Sequence, residues 1–86
     1  MNYQMIADLI GWAGAFLLLT AYALLSFKKI AGDSVLYQTM NVLAGIGLAI
    51  SSFSHGAYPL TFVNSVWSVI GLIAIFFALK NGKSLD

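Results

Sequence analysis

Three apolar stretches, each about twenty residues long, fill nearly the whole of this chain. They cover residues 6–27, roughly 34–53 and 57–79, and none of them contains a lysine or an arginine. A helix of about twenty residues rises about 30 Å, which matches the hydrocarbon thickness of a bilayer. With 60% hydrophobic and 8% charged residues, the composition is also unlike that of a soluble domain. The sequence therefore predicts an all-α integral membrane protein, a bundle of three transmembrane helices in a single domain, residues 1–86.

The residue inventory argues against several classes of protein. The chain has no cysteine and a single histidine, His55, so we expect neither a disulfide nor a metal site. The net charge of +1 gives no reason to expect a nucleic acid as partner. No pattern of paired carboxylates, of nucleophile and base, or of a phosphate-binding loop emerges, so we expect no enzymatic activity and no cofactor.

All four basic residues lie on one predicted side of the membrane. Lys28 and Lys29 are in the first connection, and Lys80 and Lys83 follow the third apolar stretch. In a chain with three spans, the first connection and the C-terminus share a side, whereas the second connection and the N-terminus carry no basic residue. The positive-inside rule therefore predicts an N-terminus outside the cell and a C-terminus in the cytoplasm.

Local signals support the boundaries of the predicted helices. Ser34 offers an N-cap for the second helix, after the flexible Gly32. Pro59 fits the first turn of the third helix, where its missing N–H is not needed. The Asn81-Gly82 pair is typical of a helix C-terminus. We therefore expect three separate helices rather than one continuous one.

Small and polar residues recur at helical spacing on one face of each predicted helix. Lipid-facing positions favour large apolar side chains, so these faces indicate contacts between helices, where small residues let backbones approach closely. The faces consist of Ala7, Gly11, Gly14, Ala15, Ala21 and Tyr22 on the first helix, Gln38, Asn41, Gly45, Ala49 and Ser52 on the second, and Thr61, Asn64, Ser65, Ser68 and Gly71 on the third.

Asn41, Asn64 and Trp67 are unusual residues for the middle of a membrane span. An amide in hydrocarbon must find hydrogen-bond partners, and a tryptophan ordinarily prefers the interface. Each asparagine is either a hydrogen-bonding contact between helices or a residue that binds a solute. Trp67 is either a packing residue or a flat apolar surface within a pocket.

Asp8 and His55 have simpler interpretations. Asp8 is the only acidic residue near a predicted span, and in the first turn of the first helix it would stay at the headgroups and favour the helix N-terminus. His55 falls in the second connection, where exposure is the ordinary expectation. For both residues a structural interpretation is favoured over proton transfer or pH sensing.

Two segments carry a resemblance to a known family. Residues 9–17, LIGWAGAFL, resemble the Gly-aromatic-x-Ala-Ala-x-Leu opening of the SemiSWEETs, the bacterial half-size members of the PQ-loop transporter superfamily. Residues 58–64, YPLTFVN, resemble the Pro-x-x-x-x-Asn start of that family's third helix. The resemblance covers most of the chain and implies a parallel homodimer of 3+3 helices in the bacterial inner membrane. It also implies that Asn64 is similar to the asparagine that lines the family's central sugar pocket.

The chain departs from the SemiSWEET pattern at three places. Leucines stand at the family's Pro-Gln pair, residues 24–25, and near its second-helix tryptophan, at Leu48. The Tyr, Arg and Asp of the family's outer gate fall near Ser51, His55 and Ala57. The chain is therefore similar to a divergent branch that lacks the Pro-Gln motif.

The favoured hypothesis is a homodimeric, SemiSWEET-like transporter of a small neutral or zwitterionic solute, working by facilitated diffusion and alternating access. Three helices cannot both enclose a solute path and shield it from lipid, so a second, parallel copy is expected. The predicted pocket residues are Asn64, Trp67, Ser68, Asn41, Thr20 and Tyr22, and the glycines predicted to permit helix movement are Gly11, Gly14, Gly45 and Gly47. The alternative is a non-transporting accessory or assembly subunit whose small-residue faces dock on a larger membrane protein.

Overall fold

A computed structural model describes residues 2–83 and contains three α-helices joined by two short connections. The helices are α1 (Tyr3–Ser26), α2 (Val35–Ser54) and α3 (Tyr58–Lys80). Met1 and residues 84–86 of the predicted domain lie outside the described part of the chain. The helix boundaries match the predicted ones within one residue except at the start of α1, which begins three residues earlier.

Side chains and backbone turns account for the helix ends. Asn2 caps α1, because its Oδ1 accepts a hydrogen bond from the Met5 backbone N–H at 2.9 Å. Ser34 caps α2 in the same way, with its Oγ 3.0 Å from the Tyr37 nitrogen, as predicted. Pro59 lies in the first turn of α3, and this helix ends at Asn81 as its C-cap, also as predicted.

All three helices are long and apolar enough to span a membrane. They contain 24, 20 and 23 residues, which correspond to about 30–36 Å of rise. In each helix no more than 33% of the most apolar window is buried, so most of the large apolar side chains face outward. A continuous apolar surface of this kind is unfavourable in water and fits a lipid bilayer. The structure is therefore that of a multi-pass membrane protein.

The middle helix in space is α2. Both α1 and α3 pack against it, and no Cα atom of α1 comes within 8 Å of a Cα atom of α3. In this arrangement, called the helix layer, α1 and α3 flank α2 and their backbones do not approach each other closely. This order leaves a groove above α2, between its two neighbours.

Glycines set the close approach of α1 to α2. A Cβ atom added at Gly14 would lie 3.0 Å from the carbonyl oxygen of Ala44. One added at Gly47 would lie 3.0 Å from the carbonyl oxygen of Ile10. Backbone meets backbone at both places, so neither position has room for a larger residue without separating the helices.

The α2–α3 interface combines a glycine with a buried hydroxyl group. The Ser68 Oγ donates a hydrogen bond to the Val42 carbonyl oxygen at 2.9 Å, across the two helices. A Cβ atom added at Gly45 would overlap this Ser68 hydroxyl and lie 2.9 Å from the Asn64 carbonyl oxygen. The Ser68 hydroxyl thus occupies the space that a side chain at residue 45 would otherwise fill.

Much of each small-residue face predicted from the sequence lies in these two interfaces. Its fully buried members are Ala7, Gly11, Gly14, Ala21, Asn41, Gly45, Ser68 and Gly71, whereas Tyr22 and Ser65 are exposed. The four glycines predicted to permit helix movement all make close packing contacts, and their role in movement stays a prediction.

An ion pair joins the first connection to the end of α3. The Lys83 Nζ lies 2.9 Å from Asp33 Oδ2, with both side chains about half exposed. The hydrogen bond from Lys83, together with its positive charge, lowers the pKa of Asp33 below its ordinary value. The contact brings the two lysine-bearing segments to the same end of the helix layer.

Replacing Lys83 with glutamine is expected to raise the pKa of Asp33 toward its ordinary value. Because the folded-state pKa is lowered, the pair stabilises the fold above the unfolded-state pKa, and this contribution is lost as the pH falls through the folded value. The side-chain carboxyl carbon of Asp33, followed by NMR through an acid titration, reports the change. Lys80→Gln is the matched control and should leave the Asp33 titration unaltered; a shift in both variants would contradict a specific pair.

Candidate functional site

The groove along α2 contains two pockets. The first, here the Asp8 pocket, has a volume of about 390 Å³. The second, here the Asn41 pocket, has a volume of about 360 Å³. The Asp8 pocket is lined by Asp8, Gly11, Trp12, Ala15, Leu48, Ser51, Ser52, His55, Ala57, Leu60 and Asn64. The Asn41 pocket is lined by Leu18, Leu19, Tyr22, Leu25, Tyr37, Asn41 and Trp67.

Residue spacing shows that the two pockets are parts of one groove. On each helix most of the lining residues of the two pockets recur at steps of three, four or seven, which keeps them on one helix face. The stripe is 8, 12, 15, 19 and 22 on α1, 37, 41, 48, 52 and 55 on α2, and 60, 64 and 67 on α3. All three helices therefore contribute one face to a channel-like groove that is open along the side opposite α2.

Asn41 is the most informative residue of the groove floor. Only 5% of its surface is exposed, and its Oδ1 atom has no hydrogen-bond partner in the described part of the chain. A buried acceptor without a donor costs about 1–3 kcal/mol. Asn41 also lines the pocket that holds Trp67 and Tyr22, so a bound molecule with an N–H or O–H group could reach it.

A polar cluster lies at one end of the groove, where the start of α1 meets the end of α2. His55 is the C-cap of α2, and its Nε2 lies 2.7 Å from Asp8 Oδ1. The Gln4 Nε2 donates to the same Asp8 oxygen at 2.8 Å and to Ser54 Oγ at 3.3 Å. Because the Asp8 carboxylate only accepts hydrogen bonds, His55 Nε2 carries the proton in this arrangement.

Four of the six pocket residues predicted from the sequence line the groove, in two places. Asn41, Trp67 and Tyr22 meet in the Asn41 pocket. Asn64 instead lines the Asp8 pocket, where it is half-buried. The two asparagines therefore belong to different sections of the same groove.

The other two predicted pocket residues lie elsewhere. Ser68 is buried in the α2–α3 interface, where its hydroxyl bonds to the α2 backbone. Thr20 is exposed and donates its Oγ1 hydrogen to the Phe16 carbonyl oxygen, 2.8 Å away in its own helix. Both hydroxyl groups are satisfied by backbone, so neither is directed to the groove in a single copy of the chain.

The prediction for Asp8 is wrong in one respect. Because α1 begins at Tyr3, Asp8 is not in its first turn but lines the groove and pairs with His55. Consecutive helices that pack side by side are antiparallel, so the start of one helix lies beside the end of the next. This rule could have predicted the contact between Asp8 and His55 from the sequence.

A family model matches residues 7–82, which include all of α2 and α3 and most of α1. The family is one of unknown function. No curated protein and no solved structure matches the chain.

Proposed function

We propose a transport function for this chain, which belongs to the family of unknown function whose model covers residues 7–82. The protein would carry a small neutral or zwitterionic solute across a cell membrane, as a SemiSWEET-like parallel homodimer of 3+3 helices. The N-terminus would lie outside and the C-terminus in the cytoplasm, as the lysine distribution favours. A bacterial inner membrane fits the resemblance of residues 9–17 and 58–64 to the SemiSWEETs.

The observation that carries this proposal is the groove with the buried, unpartnered Asn41 Oδ1 on its floor. A pure packing surface in lipid would satisfy or avoid such an acceptor, because lipid tails offer it no donor. Trp67 and Tyr22 supply aromatic surface around it. An apolar pocket with a few polar groups is the usual form of a small-molecule site.

The open side of the groove supports a second copy. In one copy, the polar groups of α2 in the groove would face lipid tails between α1 and α3. A second copy related by an axis along the membrane normal would cover them with its own groove and place two Asn64 residues opposite each other. The resulting site, near the midplane and between two repeats, is the arrangement found in parallel-repeat transporters.

The chemistry of the Asn41 pocket favours facilitated diffusion. The Asn41 pocket contains no ionisable carboxylate or amine, so selection there depends on amide and aromatic contacts. The Asn41 acceptor selects a solute with a hydrogen-bond donor. Alternating access would arise from movement of α1 and α3 against α2, at the close contacts of Gly14 and Gly45.

Dimer formation through the groove is the first expectation to test. Leu60→Cys places a thiol on the groove rim, in a chain that has no native cysteine, and should cross-link two copies in nanodiscs. Phe62→Cys is the matched control, because it lies about 200° around α3 from Leu60 and is also exposed.

Native mass spectrometry of the wild type beside Asn64→Ala shows whether the dimer exists and survives the loss of this amide. A wild-type monomer would overturn the proposal and favour the accessory-subunit alternative.

Osmotic swelling of proteoliposomes tests transport with solutes chosen by class. The wild type is expected to accelerate swelling in glucose or glycine over that of protein-free liposomes, and not in potassium chloride. Swelling in potassium chloride as well would indicate a leak, and no acceleration in any of the three would contradict transport of this class of solute.

A further inference from the structure

We propose that the Asp8 pocket binds the ammonium group of a zwitterionic solute, with the Asp8 carboxylate and the Trp12 indole as the recognising groups. The inference deepens the proposed function by naming a substrate class, and it rests on that function only for its biological meaning. Its physical basis is the chemistry of the pocket itself.

The Asp8 carboxylate has capacity for a further contact. Both of its hydrogen bonds, from Gln4 and from His55, end on Oδ1. The Oδ2 atom has no hydrogen-bond partner among the described residues, and the side chain is 43% exposed within the pocket lining. An ammonium group could therefore approach Oδ2 while the Asp8–His55 bond stays in place.

The Asp8 pocket carries a net negative charge when His55 is neutral. Asp8 is then the one charged side chain of the pocket. Lys28, Lys29 and Lys83 belong to the opposite end of the helix layer, where Lys83 pairs with Asp33. The apolar walls of the groove lower the local dielectric constant, which strengthens the attraction of Asp8 for a cation.

Trp12 supplies the second recognising element. It lies one turn after Asp8 on the same face of α1, is 66% exposed and packs against Phe16 with ring centroids 6.1 Å apart. The face of an indole ring attracts quaternary and other ammonium groups, and tryptophan does so best among the aromatic residues. The pocket volume of about 390 Å³ is large enough for a small organic molecule that carries an ammonium group.

Choline is the probe, and its neutral carbon isostere 3,3-dimethyl-1-butanol is the matched ligand control. Titration of the protein in nanodiscs, followed by the NMR signal of the Trp12 indole N–H, gives a dissociation constant for each. Choline is expected to bind at least about fivefold more tightly than the isostere, because only choline carries the charge that Asp8 attracts. Equal affinities in the wild type would overturn the proposal without any variant.

Substitutions then locate the site. Asp8→Asn should weaken choline binding at least about fivefold, whereas Asp33→Asn, at the other end of the layer, should leave it unchanged. Unchanged affinity in a folded Asp8→Asn protein would contradict the assignment. Selective choline binding without solute-dependent swelling would support this binding site and overturn the proposed transport. Swelling without a preference for choline over its isostere would support transport and overturn this site.

Discussion

Replacing Gly45 with valine is expected to destabilise the helix bundle by about 3 kcal/mol. The added side chain would occupy the space of the Ser68 hydroxyl and press on the Asn64 carbonyl oxygen, which a built Cβ atom already approaches to 2.9 Å. A backbone oxygen cannot rotate away, so α3 must move off α2 and the bond from Ser68 to Val42 is lost. The free energy of unfolding, measured by SDS titration with circular dichroism, reports the change.

Ala13→Val is the matched control for this experiment. Ala13 is exposed on α1, so the same β-branched side chain meets lipid there instead of another helix. Its expected effect is within about 0.5 kcal/mol, the ordinary range for a surface substitution. Equal destabilisation by the two changes would mean that the β-branched side chain itself, and not the approach of α3 to α2, determines the cost at Gly45.

Replacing Asn41 with leucine is expected to stabilise the single chain by about 1–2 kcal/mol and to abolish solute-dependent swelling. The stabilisation arises because the change removes a buried acceptor that has no donor. The loss of swelling arises because the same acceptor is the proposed hydrogen-bonding group of the Asn41 pocket. Unfolding in SDS and proteoliposome swelling measure the two effects separately.

Gln38→Leu is the control for the sign of this stability change. The Gln38 Nε2 donates to the Gly32 carbonyl oxygen at 2.9 Å, so the same amide-to-leucine change removes a satisfied bond one turn away. It should destabilise the chain by about 0.5–1.5 kcal/mol. A destabilised Asn41→Leu protein that also loses its dimer would show that the partner copy, and not a solute, supplies the donor to Asn41.

Opposite effects of Gly45→Val and Asn41→Leu on stability would distinguish a packing residue from a binding residue. Gly45 lies where two backbones meet, and there any added atom costs stability. Asn41 lies where an amide remains unpaired at a cost to stability, which is the pattern expected of a binding residue rather than of a contact between helices. The sequence offered both interpretations for Asn41, and the missing partner of its Oδ1 atom favours the second.

Sequence alone determined the parts of this protein that local physics controls. Three apolar stretches of membrane-spanning length require three helices, since backbone groups in lipid must be hydrogen-bonded within the helix. Ser34, Pro59 and Asn81 marked helix ends because caps depend on neighbouring residues only. The small-residue faces indicated where the helices would meet.

Only the tertiary structure decided which helices meet. All three helices carry a small-residue face, and in lipid no hydrophobic effect between helices ranks one pairing above another, so the pattern left the order of the layer open. The position of α2 between α1 and α3 created the groove. It also placed Asn41 beside Trp67 and left Ser68 bonded to backbone. These contacts join residues far apart in the chain, and side-chain spacing within one helix carries no information about them.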